Sequence, residues 1–344
     1  MVAMSSRVLS IQSHVVHGYV GNRSSVFPLQ LLGIEVDYIN SVQFSNHTGY
    51  SCVKGQVMDA CDLKELYAGL KANGLHTYTH VLTGYVGCAS FLEAVGDLIR
   101  DLKAENPQLK YYCDPVLGDS GELYVSPDLV PVYKEKILPL ADVILPNQFE
   151  AELLTGCPIT DEASALECIR PFHSKYHIPT VVLTSSNIRY SSNAYPDAKD
   201  RMLGYASRCI SSEPHRGDLN SMRPSDSESI VNGCDTYEQL RLVIPVLDCE
   251  FRGTGDLFSA LTLARIECGL KSQLKSSFAN TFELVLRSMQ AVLRRTLDES
   301  KSQKGATRPD SPNWASRELK LVQSIDDIRN PPANGQYVER IQSM

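Results

Sequence analysis

The chain has 344 residues, of which 43% are hydrophobic and 21% are charged, and its formal net charge is −7. This length suits one large α/β domain or two ordinary ones, and the composition is that of a globular protein with a full core. The acidic balance argues against a nucleic-acid partner, because phosphate backbones attract a surplus of basic residues.

Runs of β-forming residues alternate with longer amphipathic stretches over most of the chain. The patterns predict strands at 7–13, 34–40, 79–85, 109–114, 141–145 and 178–186, and helices at 22–33, 62–74, 89–105 and 161–175. This alternation predicts an α/β fold with a central, mostly parallel sheet and helices on both faces. We assign residues 7–330 to a single domain, between short tails at 1–6 and 331–344.

Residues 187–239 interrupt the alternation, because they are rich in Ser, Asn, Asp, Pro and Gly. Strands are predicted at 202–209 and 238–247, and the most polar part, 211–229, is predicted to be a mobile loop between them. A later helix at 272–298 has apolar residues spaced to cover a sheet.

Polar residues stand at the carboxyl ends of several predicted strands. They are Ser13, Tyr85, Asp114, Asn147 and Thr184. Ligands of parallel α/β sheets bind outside this edge. We therefore expect these side chains to converge on a binding site.

The segment GTGD, from Gly253 to Asp256, joins a tight turn to an apolar stretch with helical spacing. A helix that begins near Thr254 would direct the N–H groups of Gly253, Thr254 and Gly255 at an anion. Asp256 could then accept a proton from a substrate hydroxyl while those N–H groups hold a phosphoryl group. The alternative is an ordinary N-cap that binds no ligand, and the segment alone does not decide between the two.

Other acidic residues stand close to the predicted strand ends, and the chain has no P-loop motif. Asp114 and Asp119 could both face a magnesium–phosphate cluster, although a solvated loop is the simpler explanation of Asp119. Asn147 and Glu150 fit a capping box at the start of a helix. Contact between Glu150 and a metal-bound water is the alternative.

Two segments could enclose a small polar aromatic molecule. The loop after the first strand carries His14 and His17 near Ser13, although either histidine alone is more often a surface residue. The segment NSVQFSNHTGY, residues 40–50, is predicted to form a β-flap. This flap is either a plain structural element or a cover over the substrate.

The cysteines and the terminus indicate the compartment. Ten cysteines are scattered without a C-x-x-C pair, which is typical of reduced thiols rather than of a disulfide framework or a zinc site. No apolar run approaches the roughly 18 residues that a membrane span needs, and the N-terminal residues lack the order of a secretory signal. We expect a cytoplasmic protein without a membrane partner.

Seven segments, in this order and spacing, resemble eukaryotic pyridoxal kinases of the ribokinase-like superfamily. They are VLSIQSHVVHGYVGN, NSVQFSNHTGY, LTGY, CDPVLGD, PNQFEAE, LTSS and GTGDLF. The likeness covers nearly all of residues 7–330 and fails mainly in 187–239. GTGD alone is typical of the whole superfamily, whereas IQSH, QFSNHTGY and PNQFEAE are more specific to the family.

The resemblance implies a cytoplasmic homodimer that transfers the γ-phosphoryl group of ATP to the 5′-hydroxymethyl group of pyridoxal, pyridoxine or pyridoxamine. It implies that Asp256 is the general base and Gly253–Gly255 the anion hole. The implied vitamer contacts are Ser13, Val42, Phe44, His47, Thr48, Tyr85 and Asp256. The implied ATP contacts are Asp114, Tyr124, Asn147, Thr184, Ser185, Leu247, Gly253, Thr254 and Gly255. The implied positions near a divalent cation, usually Mg²⁺, are Asp114, Asp119, Glu150 and Thr184, and a monovalent ion, K⁺ or Na⁺, assists.

Three features depart from the family pattern. Leu145 stands where many members carry a Thr, and a Leu side chain cannot ligate a monovalent cation. Glu250 and Arg252 replace apolar or small residues before GTGD. Arg252 either contacts phosphate or pairs with Glu250, and the pair is favoured because residues at i and i+2 share one face of a strand. The region 187–239 is also longer than is common, so its contacts with ATP cannot be assigned residue by residue.

Two other functions compete with this interpretation. One is a related kinase for hydroxymethylpyrimidine or a sugar, against which the QFSNHTGY flap argues. The other is a non-catalytic vitamin-binding scaffold, against which the intact GTGD segment argues.

Overall fold

A computed structural model describes residues 6–190, 201–210, 236–271, 277–302, 313–333 and 336–341 of the chain. The strands are β1 (Arg7–Val15), β2 (Glu35–Phe44), β3 (Gly55–Val57), β4 (His80–Thr83), β5 (Lys110–Cys113), β6 (Gly118–Asp119), β7 (Glu122–Leu123), β8 (Val143–Ile144), β9 (Thr180–Leu183), β10 (Arg201–Cys209), β11 (Tyr237–Pro245) and β12 (Val338–Arg340). The α-helices are α1 (Asn22–Leu31), α2 (Ala60–Ala72), α3 (Ala89–Glu105), α4 (Leu129–Val132), α5 (Gln148–Thr155), α6 (Glu162–Ser174), α7 (Thr254–Lys271), α8 (Phe278–Ser302), α9 (Trp314–Arg317) and α10 (Ile325–Arg329).

Most strands form one sheet in the order β12-β11-β10-β9-β8-β5-β4-β1-β2-β3. The six central strands, from β9 to β2 in that order, pair in parallel. The strands β10, β11 and β12 pair antiparallel at one edge, and β3 does so at the other. The predicted α/β fold with a mostly parallel central sheet is confirmed.

Alternating residues of the central strands fill two separate cores, one on each face of the sheet. In β1, Leu9 and Ile11 pack into the core that α2, α3 and α6 cover. The neighbouring Val8 packs into the core that α1, α7 and α8 cover. Because both faces are buried, the strands are almost continuously apolar, as is typical of parallel sheets.

Short antiparallel strands, β3 and β12, form the two edges of the sheet. At one edge β2 and β3 pair antiparallel, with Val42 opposite Val57, and form a flap that contains the predicted 40–50 and extends beyond it to β3. At the other edge, Val338 lies opposite Leu242 in β11 and is buried. The assignment of 331–344 to a tail is therefore wrong for β12. A strand of three residues is too short to give a period in the sequence.

The region 187–239 contributes to the sheet from both of its ends. The structure confirms the predicted strands at 202–209 and 238–247, since β10 and β11 pair along their full lengths. The expected loop at 211–229 lies outside the described residues. The predicted helix at 272–298 begins at Phe278 in the described part of the chain.

Most of the described cysteines match the expectation of reduced thiols. Cysteines 52, 61, 88, 113, 157, 168, 249 and 268 are free thiols. Cys209 is disulfide-bonded, so the expectation of reduced thiols is wrong at that position. Sequence spacing does not reveal which cysteines a fold brings within bonding distance. Within the described residues, no helix combines the length and apolar character that crossing a membrane requires.

Candidate active site

The carboxyl ends of the parallel strands open into a cleft with a volume of about 670 Å³. The polar residues predicted to converge at this edge, Ser13, Tyr85, Asp114, Asn147 and Thr184, all line it. Asp114 and Thr184 directly follow β5 and β9, and Tyr85 and Asn147 lie two and three residues after β4 and β8. Ser13 lies near the end of β1. The predicted convergence is confirmed.

The other site residues implied by the family resemblance line the same cleft. They are Val42, Phe44, His47, Thr48, Asp119, Tyr124, Glu150, Ser185, Leu247, Gly253, Thr254, Gly255 and Asp256. The cleft thus brings together the flap, the strand ends and the start of α7.

The GTGD segment forms a tight turn that leads directly into α7. Gly253 has a φ of 78°, and an added Cβ would lie 2.0 Å from the carbonyl oxygen of Tyr19. The helix begins at Thr254, and the N–H of Leu257 donates to the Gly253 carbonyl oxygen over 3.1 Å. The first-turn N–H groups and the positive end of the helix dipole therefore lie at the cleft. This arrangement suits an anion.

The carboxylate of Asp256 is held by a different segment of the chain. The backbone N–H of Gly21 donates to Oδ2 of Asp256 over 2.8 Å. The Ser25 hydroxyl, in the first turn of α1, donates to the Asp256 carbonyl oxygen over 3.1 Å. Burial raises the pKa of Asp256, and the Gly21 N–H opposes the rise. A carboxylate with a raised pKa is a stronger base.

Gly21 connects Asp256 to Ser13. The residue has a φ of 54°, and an added Cβ would lie 2.1 Å from the carbonyl oxygen and 2.3 Å from the hydroxyl oxygen of Ser13. A side chain at this position would displace the N–H that holds Asp256.

Two further carboxylates lie deep in the cleft wall. Asp114 and Glu150 are 6% and 4% exposed, and burial raises the pKa of each. The charge of Asp256 raises the pKa of Asp114 further, and the charge of Asp114 does the same for Glu150. The hydroxyl of Ser259 donates to Oδ2 of Asp114 over 2.8 Å and opposes the rise.

Glu150 forms the predicted capping box of α5 with Asn147. The N–H of Asn147 donates to Oε2 of Glu150, and the N–H of Leu117 donates to Oε1, each over 2.9 Å. Both carboxylate oxygens of Glu150 therefore have backbone partners. The capping interpretation accounts for Glu150 without a ligand.

The fit of this region to a divalent cation depends on its carboxylates. Among the described residues, no group of three His, Cys, Asp or Glu side chains is arranged to hold a metal ion. However, Asp114 and Glu150 are buried with raised pKa values, so a cation nearby would favour their charged forms. Mg²⁺ commonly uses one or two carboxylates and takes its remaining ligands from phosphate and water. The residues fit an ion bound in that way.

The part of the cleft predicted to bind the nucleotide is fixed by backbone contacts. The N–H of Thr184 donates to the Pro146 carbonyl oxygen over 2.9 Å, and the N–H of Gln148 donates to the Ser185 carbonyl oxygen over 3.1 Å. These bonds join the ends of β8 and β9. Tyr124 is 47% exposed beside them.

The flap supplies the opposite part of the cleft. Val42 is buried, Phe44 is partly exposed, and Thr48 is exposed. His47 is 7% exposed, and its Nδ1 accepts the N–H of Gly49 over 3.1 Å. Its Nε2 lies 3.4 Å from Oε1 of Glu318. Both ring nitrogens thus have protein partners, which favours a supporting role for His47.

Neither His14, near the end of β1, nor His17, in the loop after it, is part of the cleft lining. His14 instead stacks on Tyr38, with ring centroids 6.4 Å apart. The structure therefore favours the alternative, in which the two histidines are not part of a ligand site. The end of β1 contributes Ser13 and Val15 to the lining instead, and the loop contributes Val20.

The structure shows what surrounds the three residues that depart from the family pattern, Leu145, Glu250 and Arg252. Leu145 lines the cleft and is 1% exposed, and its aliphatic side chain has no oxygen to offer. Arg252 pairs with Glu250 over 2.7 Å, as favoured from the sequence. Its guanidinium carbon also lies 5.3 Å from the centroid of the Trp314 ring.

Sequence reasoning missed Gly21 and Glu318, which hold other site residues. Gly21 contacts Asp256 across 235 positions. Glu318 contacts Tyr19 across 299 positions. No local pattern could have identified either contact.

Comparisons with known proteins identify small-molecule kinases as relatives of this chain. The family model described as "Phosphomethylpyrimidine kinase" matches residues 76–217. A pyridoxal kinase of Sus scrofa is 45% identical over 330 residues, which is 95% of this chain and 93% of that protein. A pyridoxal kinase of Arabidopsis thaliana is 44% identical over 95% of this chain and 92% of its own.

A solved structure extends this similarity to the fold. The pyridoxal kinase from Leishmania donovani in complex with ADP and pyridoxamine is 29% identical, with a TM-score of 0.78. The match covers 98% of this chain and 100% of that one.

Proposed function

The chain belongs to the pyridoxal kinase family and catalyses ATP-dependent phosphorylation of B6 vitamers, and we propose that Asp256 is the general base of this reaction. One observation carries the proposal. Asp256 lies one residue beyond the glycine turn at the start of α7, in a cleft that the flap and the strand ends share. The proposed base, Asp256, is thus directly adjacent to the proposed anion site at Gly253–Gly255.

The proposed step transfers a phosphoryl group to an alcohol. Asp256 accepts the proton of the vitamer's 5′-hydroxymethyl group. The hydroxymethyl oxygen forms a bond to the γ-phosphorus of ATP at the same time. The bond from that phosphorus to the β,γ-bridging oxygen breaks, and ADP leaves. The N–H groups of Gly253, Thr254 and Gly255 stabilise the charge on the transferred group. The raised pKa of Asp256 supports its role as the proton acceptor.

The remaining residues hold the two substrates. Ser13, Thr48 and Tyr85 provide hydroxyl groups for the polar vitamer ring, and the apolar residues Val42 and Phe44 of the flap cover it. The nucleotide contacts, which rest on the resemblance, are Asp114, Tyr124, Asn147, Thr184, Ser185 and Leu247.

A divalent cation would lie beside the phosphates of ATP. Asp114 is the residue best suited to hold it, and Asp119, Glu150 and Thr184 would act at longer range through water. When bound, the ion offsets the charge of the phosphate oxygens. We also propose that K⁺ or Na⁺ activates this enzyme only weakly, because the side chain of Leu145 has no oxygen to bind the ion.

The location and assembly of the chain are also proposals. A cytoplasmic homodimer rests on the family resemblance. Light scattering of the purified protein measures the mass, and a monomer would contradict the assembly.

The decisive test of function is ATP-dependent formation of pyridoxal phosphate, followed by its absorbance with and without K⁺. A parallel ADP-release assay presents pyridoxal, pyridoxine, pyridoxamine, hydroxymethylpyrimidine and ribose. We expect turnover with the three B6 vitamers. Turnover of hydroxymethylpyrimidine alone would instead favour the activity of the family whose model matches 76–217. Pyridoxal binding without turnover would indicate a scaffold.

A further inference from the structure

The carboxylate of Glu318 is a buried acceptor shared by two parts of the active-site wall. Glu318 is 7% exposed and directly follows α9. Its Oε2 accepts the backbone N–H of Tyr19 over 3.0 Å, and its Oε1 accepts the hydroxyl of Tyr50 over 3.0 Å. Glu318 itself is not among the residues that line the cleft.

The third contact of this carboxylate is with His47. Nε2 of His47 lies 3.4 Å from Oε1 of Glu318. Since Nδ1 of His47 accepts the N–H of Gly49, Nε2 is the nitrogen that carries a proton toward Glu318. Burial raises the pKa of Glu318, but the contacts from His47, Tyr19 and Tyr50 outweigh it and leave the pKa below its usual value. Glu318 is therefore a charged acceptor at neutral pH.

The donors of Glu318 belong to the two elements that the proposed reaction must align. His47 and Tyr50 flank Thr48 in the flap. Tyr19 precedes Gly21, whose N–H holds Asp256. The carbonyl oxygen of Tyr19 also packs against Gly253, where an added Cβ would lie 2.0 Å away. The Glu318 side chain thus links the flap, the proposed vitamer cover, to the loop that holds Asp256.

Close packing restricts this carboxylate to one position. Gly18 has a φ of 97°, and an added Cβ there would lie 2.3 Å from Oε2 of Glu318. Trp314, four positions earlier on the same C-terminal segment, meets the His47 ring edge-on with centroids 5.2 Å apart and an interplanar angle of 89°. The carboxylate and the indole therefore fix the flap together.

We propose that Glu318 is a positioning residue that sets vitamer affinity by fastening the flap to the loop that holds Asp256. The inference rests on the proposed role of the flap as the vitamer cover. Glu318 contacts neither the anion turn nor the nucleotide side directly, so its loss should weaken pyridoxal binding while leaving ATP binding almost unchanged.

The test compares Glu318→Gln, Tyr50→Phe and Asp327→Asn. In Glu318→Gln the amide group keeps the volume but turns one acceptor into a donor that faces N–H and O–H groups. We expect its pyridoxal Kd, measured by calorimetry, to rise about tenfold, because hydrogen bonds to charged groups are among the stronger ones. The Kd of an ATP analogue should stay within about twofold, and Tyr50→Phe should weaken pyridoxal binding about threefold.

Asp327→Asn is the matched control. Asp327 fastens the same C-terminal segment to α8, since its Oδ2 accepts Nη2 of Arg295 over 2.8 Å. This variant should lower the melting temperature and leave the pyridoxal Kd unchanged. Pyridoxal binding by Glu318→Gln that equals wild type, or equal weakening in Glu318→Gln and Asp327→Asn, would overturn the proposal.

Two further outcomes remain decisive. If Glu318→Gln does not fold, unchanged pyridoxal affinity in Tyr50→Phe would overturn the proposal, and a rise of about threefold would support it. Turnover by wild type is measured alongside, so a wild type that binds pyridoxal without forming its phosphate would contradict the proposed function and not the role of Glu318.

Discussion

The backbone N–H of Gly21 donates a 2.8 Å hydrogen bond to Oδ2 of Asp256, although 235 positions separate the two residues. The bond joins the loop after β1 to the first turn of α7. The bond holds Oδ2 of this partly buried carboxylate through a loop outside α7 rather than through the first turn of its own helix. The geometry therefore favours the general base over the ordinary cap as the role of Asp256.

We expect Gly21→Ala to reduce both stability and kcat. The positive φ of 54° and the close approach to Ser13 should cost about 1–3 kcal/mol of stability, and the displaced N–H should misplace Asp256. Gly33→Ala is the control, because Gly33 has a φ of 81° but an added Cβ would meet nothing within 4 Å. Melting temperatures and kcat are measured for both. If Gly33→Ala lost as much kcat as Gly21→Ala, backbone strain alone would explain the effect.

The sequence predicted the residues that line the cleft better than the residues that hold them in place. Asp114 and Thr184 could be assigned because parallel strands present their carboxyl ends at one edge, a rule that needs no long-range contact. The contact of Gly21 with Asp256 and that of Glu318 with Tyr19 depend on how distant segments fold together, and no periodicity reports them. β12 was missed for a related reason, since its pairing with β11 is the feature that identifies it.

Leu145→Thr should increase activation by K⁺. Leu145 is 1% exposed in the cleft wall, and Thr would supply the oxygen that many relatives have there. Leu145→Val is nearly isosteric with Thr but lacks the oxygen, so it separates the new ligand from the change in volume. Initial rates are measured against K⁺ concentration for the three proteins. Superimposable curves would mean that the oxygen at 145 plays no part.

Deletion of 211–229 should leave a cooperatively folded protein with nearly unchanged pyridoxal affinity. The stretch has few apolar residues to contribute to a core, and Cys209 pairs with Tyr237, so the strand ends that it connects are already adjacent. Shortening a loop changes its closure entropy little. Thermal melting and calorimetry test this, and loss of cooperative melting would reveal a structural role for the stretch.

The free protein should lose stability as pH rises, and Asp114 should account for part of the loss. Burial and the charge of Asp256 raise the pKa of Asp114. A raised pKa in the folded state means that the neutral form stabilises the fold, and this contribution disappears as the group ionises. Between about pH 5 and pH 8, the melting temperature of wild type should therefore fall more than that of Asp114→Asn. Parallel curves would contradict the assignment.

The most direct test of the account is the kcat of Asp256→Asn. Asn keeps the size of the side chain and an oxygen that can accept the Gly21 N–H, but it cannot accept the substrate proton. Loss of a general base typically costs about 10²–10⁴ in rate, so kcat should fall by that factor while the Kd values of pyridoxal and ATP, and the melting temperature, stay close to wild type. A kcat within about threefold of wild type would contradict the role of Asp256 as the base.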